Sequence, residues 1–326
     1  MRFGIIGTNF ISDRFLYALP FTCATASAVY SRKRDTGEAF AQKHGIPLVF
    51  TSLPDFLASD SFDAVYVASP NFLHKEQSIA ALKAGKHVLC EKPIAPSLRE
   101  YEEMKAAADG AGLILLEAMR PTYDLAWTSI VEKVLPSLKR IRSVHLDFCQ
   151  YSSRYDAFLA GTVQNAFNPL LSNAALLDIG VYPISIAARL FGKPKAVKSQ
   201  SFFLSNGFEG GGDVLLTYDG FTAHISYSKV CQSATPSYII GEGGSVTIDK
   251  LTEPSVIRVR KRDGETWDVP VPKSPAPDNM FLEINAFCAR VASRDAEWDS
   301  EITRISLSIM DEVRRENDIL FPSDAL

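Results

Sequence analysis

Three short stretches of this 326-residue chain carry residue types that could do chemistry. The first is Gly4-Ile5-Ile6-Gly7-Thr8-Asn9-Phe10-Ile11-Ser12, an apolar run that breaks at a glycine and continues with helical spacing. A tight strand-to-helix turn of this kind can receive a dinucleotide's pyrophosphate, with Gly7, Thr8, Asn9, Phe10 and Ile11 as its contacts. A full fingerprint would place a second glycine at 9 and Gly or Ala at 12. Asn9 tolerates positive φ, so the turn can still form, and Ser12 is small enough for close helix–strand packing. The second stretch is Ser31-Arg32-Lys33-Arg34. An NAD-selective protein carries Asp or Glu in this region, yet no acidic residue lies between Asp13 and Asp35. A hydroxyl and three cations suit a 2′-phosphate, so Ser31 and Arg32 point to NADP over NAD. The third is Cys90-Glu91-Lys92-Pro93, where Glu91 and Lys92 follow an apolar run and the lysine can donate a proton or polarise a carbonyl.

These residues need elements to hold them. Apolar runs at Phe3–Ile6, Ala26–Tyr30, Leu48–Phe50, Ala64–Ala68, His87–Cys90 and Leu113–Leu116 alternate with helical patterns. One helix stops at Pro20, another runs over Phe72–Ala84 to Gly85, and a third opens with the capping box Ser97…Glu100. Such alternation predicts a doubly wound parallel (Rossmann) sheet covered on both faces, here residues 1–118. Ligands of such a sheet bind outside the carboxyl ends of its strands, where all three stretches fall.

After residue 118 the pattern changes. A helix is expected near Tyr123–Leu135, a strand at Arg142–Tyr151, an irregular stretch at Ser152–Asn173 and a helix over Ala174–Phe191. Strand-rich sequence fills Ala196–Ile248, with a hairpin signal at Tyr218-Asp219-Gly220-Phe221, and helices follow at Asn279–Ala292 and Glu301–Asn317. Residues 119–326 thus read as an α+β domain whose mainly antiparallel sheet leaves one face open. Apolar alternation at Phe202–Leu204 and Val214–Leu216 predicts a homodimer or homotetramer packed through that sheet.

The motifs Gly4-x-x-Gly7, Ser69-Pro70-Asn71 with His74, Glu91-Lys92-Pro93 and Glu117-Ala118 closely resemble the glucose–fructose oxidoreductase/inositol dehydrogenase/MocA family. So does Leu177-Asp178-Ile179-Gly180-Val181-Tyr182-Pro183, which is similar to that family's active-site helix. The resemblance spans nearly the whole chain. It implies that Ser69, Pro70, Asn71 and His74 line the cofactor, and that Lys92, Asp178 and Tyr182 flank the nicotinamide. It also implies that the Lys92–Pro93 peptide is often cis and that substrates are sugars, cyclitols or dihydrodiols. Many members carry His at the Tyr182 position, whereas the dihydrodiol dehydrogenase-like branch carries Tyr.

Asp178 and Tyr182 lie four residues apart and so share a helix face. Hydride transfer to a ketone leaves an alkoxide that needs a proton; Tyr182 with Lys92 can supply it, while Asp178 orients a hydroxyl. Arg120 and Arg154 are candidates to anchor the substrate. The expected function is an NAD(P)-dependent dehydrogenase or reductase of CH–OH groups. A catalytically weak dinucleotide-binding sensor on the same scaffold is the alternative, kept open by Asn9.

Composition excludes other classes. With 34 basic and 38 acidic residues, the net charge of −4 offers no footprint for nucleic acid. Five cysteines without a C-x-x-C pair read as reduced thiols, and no histidine pair has ligand spacing, so no metal is expected. The run into a strand from Met1, and the lack of a long apolar span, predict a cytoplasmic protein acting on a small molecule.

Overall fold

The computed structural model describes residues 1–325. Their backbone divides into two compact units, one of residues 1–120 with 274–301, the other of residues 121–273 with the chain from Ile302 onward.

In the first unit six parallel strands, β1 (Arg2–Ile6), β2 (Thr25–Tyr30), β3 (Leu48–Phe50), β4 (Ala64–Val67), β5 (His87–Glu91) and β6 (Leu115–Ala118), pair in the order β3-β2-β1-β4-β5-β6. All residues of β4 and β6 are buried, which explains why they read as continuous apolar runs rather than alternating ones. Helices Phe10–Ala18, Arg34–His44, His74–Lys83 and Leu98–Ala111 connect the strands. The Ser97 hydroxyl accepts from Glu100 N at 3.3 Å, fixing where the last of these begins. Strand order reverses between β1 and β4, so the crevice at their carboxyl ends is the sheet's switch point.

One boundary differs from the sequence reading. The helix Met280–Ser293 belongs to this first unit, not to the domain that begins at 119. Phe287 packs 5.5 Å from Phe3, and Arg14 pairs with Asp278 at 2.6 Å. Neither contact leaves a local sequence signal.

The second unit is built on eight strands: β7 (Ile141–Cys149), β8 (Ala196–Phe203), β9 (Glu209–Tyr218), β10 (Phe221–Ser228), β11 (Ser237–Gly241), β12 (Gly244–Ile248), β13 (Ile257–Lys261) and β14 (Thr266–Asp268). Their order is β14-β13-β12-β11-β7-β10-β9-β8, antiparallel throughout except for β7 beside β10. Gly220, at φ +83°, makes the β9–β10 turn that Asp219-Gly220 announces. Alternation sorts the two faces. Val144, Leu146, Val214, Leu216, Ala223, Ile225 and Ile239 are buried on one. A row across the other runs Lys198, Leu215, His224, His145, Tyr238, Thr247, Arg258, Asp268. That face is therefore mixed rather than apolar: Phe202 and Leu215 are exposed on it, while Val214 and Leu216 point to the core.

Two expected helices are interrupted. The one near Tyr123–Leu135 comprises an α-turn Leu125–Ser129, a π-turn Ile130–Val134 and a 3₁₀ turn Leu135–Leu138 containing Pro136, whose ring cannot continue an α-helix. The other consists of a π-turn Leu176–Gly180 leading into the α-helix Val181–Phe191. π-turns of this kind are frequent at functional sites, and this one carries Asp178.

Candidate active site

Gly7 follows β1 with φ +107°, and a Cβ there would lie 2.5 Å from the carbonyl oxygen of Ala68, just past β4. Only glycine lets the two strand ends approach so closely. Asn9 departs from the expected positive φ: its backbone is extended at φ −98°, ψ −179°. Its side chain caps the helix instead, accepting from Ile11 N at 3.1 Å and Ser12 N at 3.2 Å and donating to Ala68 O at 2.7 Å. Asn9 thus cross-links the turn to β4. Thr8 and Ile11 are half-buried beside it, and Phe10 is exposed. Across the switch point Ser69 has a buried hydroxyl without a hydrogen-bond partner among the described residues, next to Pro70 and Asn71. Together Gly7 and Ser69 form a cradle that fits the phosphates of a dinucleotide.

At the end of β2, Ser31 is buried and its hydroxyl donates to Lys33 O at 2.9 Å. Arg32 is exposed and makes no hydrogen bond or ion pair with the described residues. Of the cationic run, Arg32 is thus open to a ligand, whereas Arg34 pairs with Glu38 at 3.2 Å.

His74 sits between two loops of the first unit. It is 1% exposed, with one ring nitrogen 2.9 Å from Pro93 O and the other 2.9 Å from Ser69 O. Burial holds its pKa below the usual value, and the ring lies between the loop after β4 and the turn after β5, one nitrogen facing a carbonyl of each. That turn contains the cis peptide Lys92–Pro93. Glu91 is buried; it accepts from the Tyr66 hydroxyl and, at 3.2 Å, from Lys92 N. Burial raises its pKa. Glu117 accepts from Ile94 N at 3.0 Å, bracing the turn from β6. Lys92 therefore rides on a backbone held by two buried carboxylates and an imidazole, with its own side chain half-buried. Arg120 donates to Asn279 Oδ1, so part of its guanidinium is committed within the unit.

In the second unit Tyr182 is half-buried, edge-on to Phe148 with centroids 5.3 Å apart. Asp178 has a side chain 42% exposed and is paired at 2.7 Å with Lys229, which is almost wholly buried. Sequence reading did not single out Lys229. Glu209, also missed, accepts from Leu176 N at 2.8 Å and so fastens the first residue of the π-turn; burial pushes its pKa up to about 7. Gly180 allows Tyr227 to pack on the turn, a Cβ there meeting the ring at 3.1 Å. Arg154 is exposed at the start of the short helix Tyr155–Leu159. Among the described residues no group of three or more His, Cys, Asp or Glu is arranged to hold a metal ion, and no helix is long and apolar enough to cross a membrane.

Comparison with known proteins bears on both units. Residues 1–119 match the model of an oxidoreductase family with an NAD-binding Rossmann fold, and residues 137–247 match a GFO/IDH/MocA C-terminal domain. The chain is 44% identical over 328 residues to scyllo-inositol 2-dehydrogenase (NADP(+)) IolU of Bacillus subtilis, covering 99% of each. It is 27% identical to mouse trans-1,2-dihydrobenzene-1,2-diol dehydrogenase, again over 99% of each chain. Among solved structures, KijD10, a 3-ketoreductase from Actinomadura kijaniata in complex with NADP and TDP-benzene, aligns with TM-score 0.84 at 27% identity, covering 97% of this chain and 98% of that one.

Proposed function

The chain belongs to the Gfo/Idh/MocA family of oxidoreductases, and from that premise we propose that it oxidises a ring hydroxyl of a cyclitol of the scyllo-inositol kind with NADP. It is a dinucleotide-dependent oxidoreductase acting on hydroxyl groups of sugars, cyclitols or diols. The observation that carries the cofactor is the switch-point cradle of Gly7 and the unpartnered Ser69 hydroxyl. Arg32, open at the end of β2, favours the phosphorylated dinucleotide. The full-length likeness to IolU supports the cyclitol.

A dinucleotide held at the switch point beside Gly7 and Ser69 would supply the hydride acceptor for the carbinol carbon. The residues of the chain then have proton and orientation work to do. Tyr182 and Lys92 take up the hydroxyl proton, and Asp178 accepts a hydrogen bond from a neighbouring ring hydroxyl. His74, Glu91 and Glu117 keep Lys92 in place through backbone contacts. The open face of the eight-stranded sheet carries the association of subunits into a homodimer or homotetramer.

The test is NADP reduction driven by scyllo-inositol, measured for the wild type and for Lys92→Met, Tyr182→Phe and the double variant. Each single change should lower kcat by about 10²–10⁴-fold, the usual scale of positioned proton transfer. Because both residues serve one proton, the double variant should be little worse than the poorer single. Undiminished turnover in Tyr182→Phe would remove the tyrosine from the mechanism, and multiplicative losses would separate the two roles.

A further inference from the structure

Lys229 lies immediately after β10, and its side chain is 4% exposed. Removing an ammonium from water is costly unless every face of it finds a partner. Here the partners surround it. It donates to Asp178 Oδ2 at 2.7 Å and to Ala166 O at 2.8 Å, and it lies 4.9 Å and 5.3 Å from the ring centroids of Phe167 and Phe208. These rings offer the negative faces that a desolvated cation prefers. The two ends of the ion pair are unequal: the cation is sealed, whereas the carboxylate side chain is 42% exposed. A sealed ammonium cannot meet a substrate, but it can dictate where an open carboxylate points.

We propose that Lys229 is the positioning residue of Asp178, and that the same ammonium pins the Ser152–Asn173 segment, through Ala166 and Phe167, to that carboxylate. The inference rests on the reading that Asp178 contacts the substrate. Two independent contacts make it more than an ion pair. The Asp178 bond fixes the carboxylate on the π-turn, and the Ala166 bond joins Asn206, whose Nδ2 donates to Phe167 O at 2.9 Å, in holding the segment around the buried Phe167. Order in the segment and aim of the carboxylate are thereby linked through one group. Substrate loops usually carry specificity, so the pairing ties specificity to the residue that orients the reacting ring.

The experiment uses the full chain with NADP and scyllo-inositol, comparing Lys229→Met, Lys229→Arg, Asp178→Asn and the double variant Lys229→Met/Asp178→Asn. Lys229→Met should raise KM for the cyclitol about tenfold or more while leaving the affinity for NADP, read by NADPH fluorescence, unchanged. Chymotryptic cleavage after Phe158 or Phe167 should accelerate in the same variant. Lys229→Arg, which keeps the charge, should recover much of both properties. On the Asp178→Asn background the further loss of Lys229 should cost less in kcat/KM than it does in the wild type, because the group it aims is already disabled and only its hold on Ala166 is left to lose. An impaired Asp178→Asn beside a Lys229→Met with wild-type KM and wild-type cleavage overturns the proposal while leaving the role of Asp178 intact. An Asp178→Asn with unchanged kcat/KM overturns that role, and the positioning function with it. Should Lys229→Met fail to fold by circular dichroism, Lys229→Gln is judged by the same KM and cleavage rates.

Discussion

Arg32 concentrates the choice between two cofactors in one side chain. Its guanidinium is exposed at the end of β2 with no partner among the described residues, and nothing acidic competes for it on that turn. If it grips a 2′-phosphate, Arg32→Ala should weaken NADP by about 1.5–3 kcal/mol, the worth of a charge-assisted pair, and leave NAD nearly unchanged. Fluorescence titration with both cofactors checks this; equal weakening of the two would assign the arginine elsewhere. Ser31 contributes differently, since its proton is already given to Lys33 O and only its oxygen lone pairs are open to a ligand. At this scale the sequence was legible wherever a residue's chemistry depends on its immediate neighbours, as in the Glu91-Lys92-Pro93 turn. It misled where one residue type has two uses. Asn9 invites a positive φ, but its side chain can also cap a helix, and two hydrogen bonds from Ile11 N and Ser12 N decide for the cap, with a third to Ala68 O holding it in place. Lys229 was illegible for a third reason: the strand pairing that seals it near Asp178 joins distant parts of the chain.

The π-turn and helix spanning Leu176–Phe191 are held at their start by a carboxyl that titrates inside the working pH range. Glu209 accepts from Leu176 N, and burial lifts its pKa to about 7, against roughly 4.3 in an unfolded chain. Between those values the folded protein binds a proton that the unfolded chain does not. Stability from this group is thus full below about pH 4.3 and is lost as pH rises through about 7. Glu209→Gln keeps a carbonyl acceptor for Leu176 N but cannot ionise. Its denaturation midpoint relative to the wild type should therefore improve between pH 5 and pH 8, by an amount on the order of 2–3 kcal/mol. An offset between the two proteins that does not vary with pH would exclude the titration. Element boundaries in the first unit were readable because their caps are local: Ser97 with Glu100, and Gly85 and Gly112 in left-handed conformations just past helix ends. The break of helical pattern into π-turns near Ile130 and Leu176, and a 3₁₀ turn at Leu135, was not, since over one turn apolar spacing hardly distinguishes about 3.6 residues per turn from a slightly wider or tighter winding.

For the molecule as a whole, alternation of strands and helices foretold the doubly wound unit, yet nothing in it foretold that residues 274–301 return to that unit through Phe287 and Asp278. The eight-stranded sheet poses the remaining question of what covers its open face. That face exposes Phe202, Leu215 and Ile240 around the paired rings of His145 and His224, whose Nδ1 atoms lie 3.2 Å apart. Burial keeps the pKa of His145 low, so near neutral pH that ring adds apolar and hydrogen-bonding surface rather than charge. Lys198, Arg258 and Asp213 surround it. A mildly apolar centre within a charged surround is the composition of a subunit contact, where the middle excludes water and the rim stays wet. We therefore expect light scattering to report a dimer or tetramer at micromolar concentration. Leu215→Glu, which puts a carboxylate in the middle of the face without touching the core beneath it, should shift the protein toward monomer while its circular dichroism stays that of the wild type. A wild type that is monomeric at micromolar concentration would show that water covers this sheet. A Leu215→Glu variant that stays fully assembled would move the contact to another surface.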